Sequence, residues 1–168
     1  MKKLIIALAA LIVTSAAYGQ GQVTFNNRVT GTVDAKILLP GGAGVAGGFT
    51  AQLYGGPVGG TLAALTPITD FRTGAAAGYV NSVDVNVPTV APGATATLQV
   101  WVYETGKTYA TSLTSGKSAT FNVALGGGTL PPANIVGFTS FTLTTIPEPT
   151  TIALGLLGLA MVFFRRRK

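Results

Sequence analysis

The chain has 168 residues, a formal charge of +6, no cysteine and no histidine. Without those two residue types there is no disulfide framework, no cysteine or Ser-His-Asp nucleophile system and no ordinary zinc site. The excess charge belongs to the two ends. Between Gln20 and Ile146, Arg28, Lys36, Arg72, Lys107 and Lys117 stand against Asp34, Asp70, Asp84 and Glu104, which leaves +1. No basic stripe interleaved with aromatics remains, so no nucleic-acid partner is expected.

Residues 1–19 read as a secretory signal peptide. Lys2 and Lys3 form the positive start, Leu4 to Val13 an apolar run, and Ala17 and Gly19 the small residues before a cut at Gln20. A cut after Ala17 is the alternative. Ten apolar residues are too few to span a bilayer, and polar GQGQ follows at once. The partners this implies are the secretion translocon and signal peptidase.

Residues 20–146 read as an all-β extracellular domain. Many Thr and Val, with 23 Gly and 9 Pro in the chain, favour short strands and tight turns. About eight strands are predicted: Val23–Asn26, Val33–Leu39, Phe49–Tyr54, Ile68–Arg72, Tyr79–Val87, Ala94–Tyr103, Ser118–Leu125 and Phe138–Ile146. Alternation is clearest where Leu98, Val100 and Val102 oppose Thr97, Gln99 and Trp101. Ala119, Phe121, Val123 and Leu125 oppose Thr120 and Asn122, and Phe141 and Leu143 alternate with Ser140, Thr142 and Thr144. One apolar and one polar face per strand suit an antiparallel β-sandwich, Ig-like or jelly-roll-like, with an open barrel as the alternative.

Several short patterns in this domain resemble chemistry. Gly42 to Gly47 matches G-x-G-x-x-G, but a strand rather than a phosphate-holding helix is predicted next, so a hairpin loop is expected. Gly116-Lys117-Ser118 ends like a phosphate-binding loop, yet position 111 is Thr where that loop needs Gly; a turn into a strand is expected. Asp84 and Glu104 are the carboxylates that a small glycan hydrolase would use, although such a site needs two held within roughly 5–10 Å. Trp101 and Tyr103, with Tyr54 or Tyr79, could stack on sugars. Packing of Trp101 between the sheets is preferred, because large aromatics are highly buried on average. No catalytic residue, metal or cofactor is assigned.

Residues 147–168 fall into three parts. Pro147, Glu148 and Pro149 stop any helix or strand from running through. Thr150 to Phe164 is an apolar stretch read as a C-terminal hydrophobic, transmembrane helix. Its 15 residues would rise roughly 22 Å, which spans only a thinned bilayer with snorkelling arginines. Arg165, Arg166, Arg167 and Lys168 form a basic stop-transfer tail that should stay cytoplasmic.

Motif, apolar stretch and basic end together resemble the PEP-CTERM sorting signal of Gram-negative bacteria. The resemblance implies recognition by an exosortase-type membrane protease, transient inner-membrane anchoring and release to the cell surface or exopolysaccharide matrix. A permanent single-pass anchor is the second reading of the tail. GQVTFNN (Gly21–Asn27), AQLYGG (Ala51–Gly56), FRTGAAAGYV (Phe71–Val80), the Trp101 strand and VGFTSFTL (Val136–Leu143) resemble a group of such proteins from Verrucomicrobia-type bacteria. That group transfers no activity. The expected role is therefore non-enzymatic, structural or adhesive, and part of the biofilm matrix. A carbohydrate-binding module with exopolysaccharide as partner is the first alternative, and the glycan hydrolase the second.

Overall fold

The computed structural model describes residues 19–146, and within them almost all regular structure is β. Two long strands carry the architecture, Phe49–Pro57 (β5) and Thr95–Glu104 (β9). They pair antiparallel from Phe49 opposite Glu104 to Pro57 opposite Ala96. Because side chains alternate along a strand, Ala96, Leu98, Val100 and Val102 all turn inward, fully buried, together with Ala51 and Leu53 of β5. The predicted parity of β9 is the parity observed.

Around this pair a seven-stranded sheet is completed. Thr114–Lys117 (β10) and Phe121–Ala124 (β11) lie end to end along β9, while Ala63–Ala64 (β6) and Thr69–Asp70 (β7) do the same along β5. Thr144–Thr145 (β14) closes the edge beside β10. A second sheet places Gly21–Phe25 (β1) between Val83–Val87 (β8) and Ala133–Asn134 (β12). Val23, Phe25, Val85 and Val87 are fully buried and join the inner residues of β5 and β9 in one core. Two mainly antiparallel sheets thus share a single apolar layer, as expected of a sandwich. Each large core side chain contributes roughly 1.5–3 kcal/mol on burial.

Eight predicted strands become fourteen among the described residues, because the chain repeatedly changes partner. The run Val33–Leu39 splits into Val33–Asp34 (β3), which forms a hairpin with Arg28–Val29 (β2), and Ile37–Leu38 (β4), which pairs with Phe141–Thr142 (β13). That β4–β13 pairing and the β1–β12 pairing are parallel, two residues long each, and depart from the purely antiparallel expectation.

Where the ladder breaks, a buried asparagine replaces it. Asn27 has no exposed surface; its amide donates to the carbonyls of Ala35 at 2.8 Å and Gly78 at 2.9 Å, and its oxygen accepts from the Val80 N–H at 2.8 Å. Three segments with no common ladder are tied by one side chain.

Gly116-Lys117-Ser118 is corrected by the structure. It is not a turn: Gly116 and Lys117 end β10, opposite Val102 and Trp101 of β9. Four steps from Lys117 to Phe121 match three steps from Trp101 to Leu98, so one extra residue bulges here. Ser118 holds the bulge, accepting the Val100 N–H on its hydroxyl at 3.0 Å and donating its own N–H to Val100 at 2.9 Å. The Gly42–Gly47 segment is a hairpin turn, closed by the Leu39 N–H on the Ala43 carbonyl, and it leads into strand β5. Gly44 is needed there for space, since a Cβ would lie 2.5 Å from the Ala77 carbonyl oxygen.

Among the described residues no helix is long and apolar enough to cross a membrane. The apolar helix predicted for 150–164, the Pro147–Pro149 motif, the basic end and the signal segment through Ala17 lie outside the described residues. Gly19 begins them, half-buried.

Candidate functional site

Two places in the domain present organised chemistry, an aromatic face and the junction with the tail. The first follows from strand parity. With the even residues of β9 in the core, Gln99, Trp101 and Tyr103 must face outward, and so must Gln52 and Tyr54 of β5. Trp101 stands opposite Gln52, and Tyr54 opposite Gln99, so the two rings are diagonal neighbours. They stack at 4.1 Å between centroids and 19° between planes. Tyr109, from the loop after β9, packs on Trp101 at 4.6 Å and 54°, and the Lys117 ammonium sits 5.7 Å from the indole.

Trp101 is therefore not between the sheets. The inner positions of its strand are filled by aliphatic residues, and the indole falls on the other parity, half-buried in an outer aromatic layer. Its N–H donates to the Gln99 side chain at 2.8 Å. Tyr103 shares the face but not the stack: its hydroxyl donates to Gln52 at 2.9 Å, and burial, aided by nearby Tyr54, raises its pKa. Tyr79 belongs elsewhere. It is buried, lies within 4.9 Å of the Arg28 guanidinium and 5.4 Å of the Lys36 ammonium, and donates its hydroxyl to Asp34, the bond that chiefly raises its pKa. Tyr109 escaped the sequence reading because it lies in a loop, where no periodicity signals a face.

The two carboxylates weighed for catalysis do not converge. Asp84 lies on β8 in the three-stranded sheet and accepts from the Thr24 hydroxyl at 2.7 Å. Glu104 ends β9 in the other sheet and pairs with Lys107 at 2.6 Å, while the Ser112 hydroxyl and the Leu113 N–H also donate to it. The Lys107 bond is the main cause that holds the Glu104 carboxyl below its usual pKa, against the opposing effect of burial. A general acid needs the opposite shift. A shallow cavity of about 440 Å³ runs along the Arg28–Asp34 hairpin, built from consecutive residues rather than from converging elements.

The second place is the C-terminal edge. Leu143 is inserted in the core at 1% exposure, and its N–H bonds the Leu38 carbonyl at 2.8 Å. Thr144 and Thr145 then pair with Ser115 and Thr114, the hydroxyls of Thr145 and Thr114 meet at 2.9 Å, and the Ile146 N–H reaches the Leu113 carbonyl at 2.8 Å. Pro147 is the next residue.

The family model of the PEP-CTERM protein-sorting motif matches residues 145–168. The chain carries a PEP-CTERM sorting motif. It is thus an exported protein processed at the membrane, with an exosortase as partner. The match begins at Thr145, inside β14 and two residues before the boundary read from the prolines, so the PEP-CTERM segment and the folded domain overlap. No curated protein and no solved structure matches the chain.

Proposed function

We propose that this chain is a surface or matrix protein, sent out by an N-terminal signal and released at its PEP-CTERM motif, whose β domain has a structural or adhesive role. The observation that carries the reading is the sorting motif, fused without a linker to an all-β domain in which Asp84 and Glu104 lie in different sheets. Glu148→Ala, or removal of Arg165 to Lys168, should leave the protein unprocessed in the inner membrane. Normal release of both variants, followed by membrane fractionation and blotting, contradicts the proposal.

The aromatic face favours a second reading, in which the domain binds polysaccharide. Trp101, Tyr54 and Tyr109 form one cluster beside the amides of Gln52 and Gln99, and stacked rings with polar neighbours are the chemistry that holds a sugar ring. With Tyr54 and Tyr109 already on the indole, an incoming sugar must displace the loop-borne Tyr109 or use the edges of the stack. Trp101→Ala should then abolish retention on the host's exopolysaccharide in affinity electrophoresis while the domain stays folded; equal retention of wild type and variant removes this reading.

A further inference from the structure

The last three residues before Pro147 are held by the sheet in a way that sets them apart from the rest of the domain. Thr144, Thr145 and Ile146 are all exposed, Ile146 at 58%, whereas Leu143 just before them is in the core. Their attachment is a two-residue pairing with β10 on its outer side, two hydroxyl bonds (Thr145 with Thr114, and Thr144 donating to the Ser115 carbonyl at 3.3 Å) and one terminal N–H bond. Such an edge, with little apolar burial and solvent-exposed backbone bonds, lies at the low-stability end of any fold.

The same residues are contiguous with the processing motif. While β14 is docked, Pro147 follows directly on a residue bonded to the sheet. Proteases commonly take their substrates as extended strands, whose backbone N–H and C=O groups bond to the enzyme. The groups of residues 144–146 used by β10 are unavailable for that purpose. Peeling the strand back to Leu143 frees three residues, or roughly 10 Å of extended chain at about 3.3 Å each.

We propose that β14 is a detachable strap: the sheet edge and the processing protease compete for residues 144–146, and the strap opens before the tail is processed. The proposal rests on the processing reading above and adds to it which part of the folded domain must move. Glu104 supports the docked state from the other side, because its carboxylate takes the Leu113 N–H and the Ser112 hydroxyl, ordering the segment whose Leu113 carbonyl receives Ile146.

The chain has no cysteine, which allows a clean lock. Thr114 and Thr145 are direct cross-strand partners with hydroxyls 2.9 Å apart, so Thr114→Cys with Thr145→Cys places two thiols where a disulfide can close. Expressed as the full chain in a host with the protease, the oxidised double variant should be processed at least about ten-fold more slowly than wild type, because the opening it blocks is local and otherwise inexpensive. Reductant should restore processing, and each single cysteine variant, which forms no cross-link, should not be slowed relative to wild type. A cross-linked protein processed at the wild-type rate overturns the strap. Thr114→Ala loosens the docking without touching residues 144–149 and guards against a misfolded double variant: it should speed processing about two-fold, since one docking contact is lost, and an unchanged rate counts against the proposal. If wild type itself is never processed in that host, the processing reading fails and the strap falls with it.

Discussion

The first strand of the domain and the last are held in opposite ways. β1 lies in the middle of its sheet, with Val23 and Phe25 fully buried, and it runs straight into the Asn27 tie. β14 lies on an edge, exposes all its side chains, and hangs from Leu143. The difference matters at the tail, where the processing motif follows the last strand directly. Loss or movement of residues beyond Leu143 leaves the core intact, whereas no comparable freedom exists where β1 begins. Tightness is set by burial and by whether backbone groups have a substitute partner, since both ends mix Thr with apolar residues.

The largest effect should come from breaking the tight end. Asn27→Ala strands the Ala35 carbonyl and the Val80 N–H, while the Gly78 carbonyl keeps the Ile37 N–H, and should cost about 2–4 kcal/mol, given about 1–3 kcal/mol for each group left unpaired, less what water recovers. A urea midpoint lowered at unchanged slope is the check; a loss under about 1 kcal/mol would mean that the tie is redundant. Breaking the loose end should matter far less. Thr145→Ala removes one exposed hydroxyl contact and should cost about 0.5 kcal/mol or less in the same measurement, as surface changes do. A cost near that of Asn27→Ala would erase the contrast between the two ends.

The smallest effect is one of pH. Glu104 has its pKa lowered from 4.5, chiefly by Lys107, so its bonds stabilise the fold above that value and are lost as the pH falls through the lower folded value. Acid should therefore loosen the Ser112–Leu113 segment and the strap docked on it. Amide exchange at Ile146, corrected for intrinsic rate, should accelerate in wild type as the pH falls through the lowered folded value, and Glu104→Gln should show the fast exchange already at neutral pH. Exchange at Ile146 that is identical in the two proteins would show that Glu104 does not support the docked strand.

Much of this was legible in the sequence, and the losses have specific causes. The parity of β9 could be read because four aliphatic residues at alternate positions leave no other face for the core. That parity already placed Trp101 outside; the average burial of tryptophan pointed the other way, and position outweighed residue type. The break inside Val33–Leu39 was not legible, because one strand-like run serves two partners and the switch is made beside Asn27, in another segment. The bulge at Ser118 was hidden for the same reason: a hydroxyl takes over a backbone bond, and neither partner announces it. The sorting motif was legible, with its start read two residues late, since prolines, apolar stretch and arginines carry their meaning in order and composition rather than in long-range contacts.

The most direct test is the intact mass of the protein recovered from the outer surface of its own host. A species that starts near Gln20 and ends between Pro147 and Pro149 is the predicted result, and extra mass at the new C-terminus would identify what it is joined to. A surface species that still ends at Lys168 would contradict processing at the PEP-CTERM motif and make the chain a permanently anchored protein.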